Sequence, residues 1–99
     1  MDVVGFVDDL MDRSRVTGAL PGIRFVKSAD AAKDADLAIV DLARYGEVVR
    51  ALRAQSTTLR IVAFGPHVDE DAANRAQEDG ADVVLPRSRF FRDPASAVA

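Results

Sequence analysis

Three carboxylates stand where chemistry is easiest to place. Asp8 and Asp9 directly follow the apolar run Val3-Val4-Gly5-Phe6-Val7, and Asp41 directly follows Leu37-Ala38-Ile39-Val40. Carboxylates held close together repel, raise one another's pKa and are relieved by a cation. An oxygen-only set of this kind suits Mg²⁺ better than softer metals. The other use of an Asp after a strand is to cap the next helix, and Asp9 is placed for that. With no Cys in the chain, disulfides, thiolate metal sites and cysteine nucleophiles are excluded. His67 is the one histidine, too few for a His-rich metal site or most catalytic triads. It follows the apolar run Ile61-Val62-Ala63-Phe64, where it either tunes the acidic cluster or lies in solvent. There is no phosphate-cradling glycine loop and no dinucleotide fingerprint, so a non-enzymatic role is expected. A small Mg²⁺-dependent enzyme or ligand-binding protein is the alternative from another class.

A second constellation lies near the carboxyl end, where Arg87, Arg89 and Arg92 flank Phe90-Phe91. In one reading the planar fork of Arg87 pairs with a phosphate or with Asp41. In the other, Phe90 or Phe91 closes the core while the heads of Arg89 and Arg92 lie in water. Tyr45 shares a helical stripe with Val48, Val49 and Leu52 and is expected in the core. Arg13 and Arg15 are expected to pair weakly with Asp12 or Asp9.

The elements that must position these groups follow from the apolar pattern. Five short runs read as strands: Val3–Val7, Ile23–Val26, Leu37–Val40, Ile61–Phe64 and Val83–Leu85. Most lack polar alternation, as parallel strands covered on both faces do; Arg24 marks the second as an edge. Helices are expected over Leu10–Leu20, along the Tyr45–Leu52 stripe, and from Val68 to a Gly80 stop with Asp69 as N-cap. Only a helical turn or two fits within Asp30–Ala35. On the first helix Met11, Val16, Ala19 and Leu20 are expected to share the inner face. Alternating strands and helices predict a three-layer α/β, doubly wound five-stranded parallel sheet, flavodoxin-like, in the order 2-1-3-4-5. That order makes the strands before Asp8 and Asp41 neighbours. The chain of 99 residues is expected to form a single domain over 1–99, with 92–99 a short tail. Its net charge of −3 argues against nucleic acid and anionic membranes as partners. Without an apolar run of membrane-span length or a signal-like start, a soluble cytoplasmic protein is expected.

The segments Val4-Gly5-Phe6-Val7-Asp8-Asp9, Leu37-Ala38-Ile39-Val40-Asp41-Leu42, Arg60-Ile61-Val62-Ala63-Phe64-Gly65 and Gly80-Ala81-Asp82-Val83-Val84-Leu85 together resemble the response-regulator receiver domain of two-component signalling, the CheY-like family. The resemblance extends to Phe91. It implies that Asp8, Asp9, Asp41 and the Ala43 carbonyl hold Mg²⁺. It also implies that Asp41 accepts a phosphoryl group from a histidine kinase, its carboxylate attacking phosphorus while the cation offsets the growing charge. The sequence departs from the family at the residues that relay the signal. Gly65 stands where the family has Ser or Thr, and Pro86-Arg87 stands for its Lys-Pro, leaving Gly65 and Arg87 as the phosphate-contact candidates. The stretch Asp41-Leu42-Ala43-Arg44-Tyr45-Gly46 lacks the usual Pro, helix 2 is shortened and the final helix is largely missing. The resulting expectation is a stand-alone, degenerate receiver-like module acting through protein contacts, with a phosphorylatable single-domain regulator as the alternative. Its partner would be a histidine kinase, a regulated target or a second copy in a homodimer. The Ala-rich segment from Val68 to Gly80 and the fifth strand form the candidate contact face, unless those alanines only pack the helix onto the sheet.

Overall fold

Runs of β-branched and aromatic residues too short for helices form the strands, and the intervening amphipathic segments form the layers above and below them. A computed structural model describes residues 1–66 and 69–99. In chain order the elements are β1 (Val3–Phe6), α1 (Leu10–Ala19), β2 (Arg24–Phe25), a 3₁₀ turn (Ala29–Ala32), β3 (Leu37–Asp41), α2 (Leu42–Tyr45), α3 (Val48–Gln55), β4 (Arg60–Gly65), α4 (Glu70–Glu78), β5 (Val83–Pro86), α5 (Arg87–Arg92) and α6 (Pro94–Ala97). The sheet has the order β2-β1-β3-β4-β5, and every pair is parallel. This is the doubly wound topology expected from the alternation of strands and helices.

The register decides what meets at the carboxyl ends. Phe6 lies beside Val40, Asp41 beside Phe64, and Gly65 beside Pro86. The loop bearing Asp8 and Asp9, the end of β3 and the start of α5 therefore share one end of the sheet. Alternate strand residues point to opposite faces, and two apolar clusters result. Val4, Phe6, Val40, Val49, Leu52 and Ile61 fill one face; Val7, Val16, Ile39, Val62, Phe64 and Phe90 fill the other.

Several elements differ from the sequence expectation. The Tyr45–Leu52 stripe is two helices, α2 and α3, parted at Gly46-Glu47. The break leaves Val49 and Leu52 buried but turns Tyr45 toward the end of the sheet, with its ring edge-on to Phe6 at 5.6 Å. The second strand has two residues, although Val26 still donates to the Gly5 carbonyl at 3.0 Å. On α1 the inner positions are Asp12 and Val16, while Met11 stands outward with 72% exposure. The helix is thus rotated by one position, with a carboxylate where an apolar residue was expected.

The final helix is replaced by the short α5 and α6. Phe90 is fully buried and stacks on Phe64 with ring centres 4.8 Å apart, and Phe91 meets both rings edge-on. Arg89 and Arg92 lie exposed, as snorkelling cations do. Asp69 caps α4 by accepting from the Ala72 N–H at 3.0 Å. At its other end Gly80 has φ +115°, its N–H bonding to Gln77 O and that of Ala81 to Ala76 O, a Schellman closure. His67 and Val68, named above as a site neighbour and a helix-stripe residue, lie outside the described residues. Among the described residues, no helix is long and apolar enough to cross a membrane.

Candidate functional site

Asp41 ends β3 and begins α2, and both facts shape it. Its side chain is 6% exposed. One carboxylate oxygen, Oδ1, accepts from the Ala43 N–H at 3.1 Å and so caps the single-turn α2. Burial raises the Asp41 carboxyl above the ordinary carboxylate range, opposed by the Ala43 N–H and the charge of Arg87.

Asp8 and Asp9 have separate duties. Asp9 is exposed and caps α1, its Oδ1 accepting from the Asp12 N–H at 2.9 Å. Asp8 accepts a hydrogen bond from the Tyr45 hydroxyl at 2.6 Å and has the Arg13 guanidinium 3.8 Å away. The Tyr45 bond holds the Asp8 carboxyl below its ordinary value and pushes the phenol up. Arg13 itself donates to the Val7 carbonyl at 2.6 Å and lies over the Phe25 ring. It therefore anchors the loop after β1 and does not pair with Asp12 or Asp9. Arg15 lies over the Phe91 ring.

Arg87 does not bond to Asp41. It makes a bidentate pair with Asp12, Nη1 to Oδ2 at 3.0 Å and Nη2 to Oδ1 at 2.8 Å. The guanidinium lies 5.4 Å from the centre of the Phe64 ring and 5.0 Å from that of Phe91. The hydrogen bonds to Asp12, followed by the opposite charge on Asp12, Asp41 and Asp9, keep Arg87 firmly protonated. Gly65, the other phosphate-contact candidate, is buried, and a Cβ built there would meet Cβ and Cδ1 of Leu42 at 3.4 Å. An aliphatic side chain thus lies beside the end of β4.

The carboxylates expected to converge on one cation are engaged separately: Asp9 with a helix terminus, Asp8 with a phenol, Asp41 with a backbone amide. Among the described residues, no three His, Cys, Asp or Glu side chains are grouped to hold a metal ion. As arranged, the residues do not fit a divalent metal. Asp12, Tyr45 and Leu42 are the site neighbours that sequence reasoning missed. The one signal for Asp12 was spacing: it lies four residues before Val16, in phase with the buried face.

No family model matches this sequence, and no curated protein matches it. Solved structures match its fold. A response regulator from Burkholderia pseudomallei, crystallised with a phosphorylated aspartic acid, calcium ion and citrate, superimposes with a TM-score of 0.81 at 16% identity over 99% of this chain. The chain spans 66% of that protein's length. A response regulator receiver domain protein from Clostridium thermocellum gives 0.79 at 15% identity, over 98% of this chain and 90% of its own. The receiver domain of NtrX from Brucella abortus gives 0.77 at 20% identity, over 98% of both chains. The chain therefore has the fold of response-regulator receiver domains.

Proposed function

We propose that this chain is a receiver-like regulatory module that acts through protein contacts, without turning over a substrate and without the usual phosphoryl-driven switch. The observation that carries the reading is Leu42 seated against Gly65. A ligand or modification shifts a conformational equilibrium only through contacts that differ between the two states. A hydroxyl at the end of β4 is the contact by which a phosphoryl group on Asp41 would draw in the loop before α4. Gly65 has no hydroxyl, and an aliphatic side chain occupies the neighbouring space.

The contact face we favour is α4 with β5. All four residues of β5 are half-buried on the open edge of the sheet, and Ala72 and Ala73 of α4 are half-buried beside them. Small side chains there permit close approach by a regulated target or a second copy.

A phosphorylatable regulator is the second reading, favoured by one observation: Asp41 sits at the end of a central strand, at the sheet end that also carries Asp8 and Asp9. Amide chemical shifts recorded with and without Mg²⁺ and beryllofluoride separate the two. The first reading expects no change, or changes confined to residues beside Asp8, Asp41 and Arg87. Shifts that spread through residues 69–86, accompanied by dimerisation, would overturn it in favour of a working switch. Mass spectrometry after incubation with a small phosphodonor reports whether Asp41 is an acceptor at all.

A further inference from the structure

We infer that Arg87 is the resident cation of this acidic strand-end site, and that the site consequently takes no divalent metal. The inference deepens the contact-module reading, but it concerns the unmodified protein alone.

Asp12 is a buried carboxylate on the inner face of α1. Its side chain is 7% exposed, and a carboxylate so placed is tolerable only when paired and hydrogen-bonded. Arg87 meets that demand with two bonds, at 3.0 and 2.8 Å, in the fork geometry that carboxylates accept best. The guanidinium also lies over the Phe64 and Phe91 rings, with ring centres 5.4 and 5.0 Å away. A delocalised, weakly hydrated cation suits such an aromatic seat better than a compact ammonium or a hydrated metal ion.

The same charge serves more than Asp12, because Asp41 and Asp9 lie within its electrostatic reach. The remaining carboxylate, Asp8, has its own neighbours in the Tyr45 hydroxyl and the Arg13 guanidinium. Four carboxylates at one end of the sheet are thus balanced by groups of the chain itself. A metal entering here would find Asp9 committed to the α1 terminus and would compete with a covalently tethered guanidinium.

The test uses Mg²⁺ and Mn²⁺ alone on unphosphorylated protein. Wild type is expected to melt at the same temperature in chelator and in millimolar Mg²⁺, and Mn²⁺ is expected to leave the amide signals of Asp8, Asp9 and Asp41 unbroadened. In Arg87→Gln the carboxylates lose their cation; the variant is expected to melt lower than wild type and to recover part of the loss on adding Mg²⁺. Arg87→Lys, which keeps the charge but loses the fork, is expected to melt lower yet remain indifferent to Mg²⁺. A wild-type melt raised by roughly 10 °C at a hundredfold excess of Mg²⁺ over its dissociation constant overturns the inference. So does selective Mn²⁺ broadening at Asp8, Asp9 and Asp41 in wild type, or an Arg87→Gln protein as indifferent to Mg²⁺ as wild type. Where Arg87→Gln does not fold, the wild-type Mn²⁺ spectrum decides. Failure here leaves the contact-module reading standing, because that reading depends on the response of residues 69–86 to beryllofluoride.

Discussion

The Tyr45 hydroxyl donates to Asp8 Oδ1 across 2.6 Å, joining the single turn of α2 to the loop between β1 and α1. The bond explains why the apolar stripe breaks after Tyr45: the ring packs against Phe6 while the hydroxyl reaches a charge at the end of the sheet. Phenol and carboxylate form a charge-assisted bond, stronger than a neutral pair.

Tyr45→Phe removes that donor and keeps the ring. The hydrogen bond is the largest influence holding the Asp8 carboxyl below its ordinary value. The Asp8 titration midpoint, followed by carboxyl carbon shifts, is therefore expected to rise in the variant. An unchanged midpoint would show that Arg13, Arg44 and Lys27 set it instead.

Phe90 is fully buried and stacked on Phe64. Phe90→Ala is expected to cost about 3 to 5 kcal/mol, a large share of a small domain's stability. Phe91→Ala should cost less, since Phe91 is half-buried. Chemical denaturation of both variants checks the order. Equal, small losses would mean that α5 does not seal the core.

Burial raises the Asp41 carboxyl, so the folded state holds that proton more tightly than the unfolded chain does. Between the ordinary value of about 3.9 and the raised folded value, stability falls as pH rises; above that window the full cost remains. Asp41→Asn keeps a good helix cap and removes the charge. It is expected to be more stable than wild type at neutral pH, with the gain shrinking as pH falls through the window. Urea unfolding at neutral and acidic pH reads this directly, and a less stable variant at neutral pH would contradict it.

Gly80 has φ +115°, and a Cβ there would lie 2.6 Å from Cγ and 2.8 Å from Cβ of Arg53. Arg53 is itself held by Gly80 O, Leu59 O and Asp82 Oδ2 at 2.8 to 3.0 Å, so it has little room to move. Gly80→Ala is expected to cost about 1 to 3 kcal/mol through backbone strain, with added loss where the Arg53 bonds break. A thermal melt equal to wild type would show that the α4–β5 turn adopts another conformation.

Much of the fold was legible because the signals that carry it are local. Five short apolar runs mark five strands, alternation with helices implies a parallel sheet, and right-handed crossovers leave few orders, among them the observed β2-β1-β3-β4-β5. Asp69 before α4 and Gly80 after it announced that helix's ends, because caps act on neighbouring backbone groups. The position of Asp41 at the end of β3 was equally plain.

The partners of the charged groups were not legible, and those partners decide the site. Helix phase was read from apolar residues, and that reading placed Met11 inward; the fold places Asp12 there because Arg87, 75 residues later, supplies its counter-charge. The Asp8 partner, Tyr45, lies 37 residues away on another element. Periodicity reports which face of an element avoids water, and it carries no record of which distant cation will compensate a buried carboxylate. Composition and spacing alone determined that carboxylates would gather at one end of a parallel sheet; only the tertiary structure decided that Arg87 of α5 would pair with Asp12 of α1.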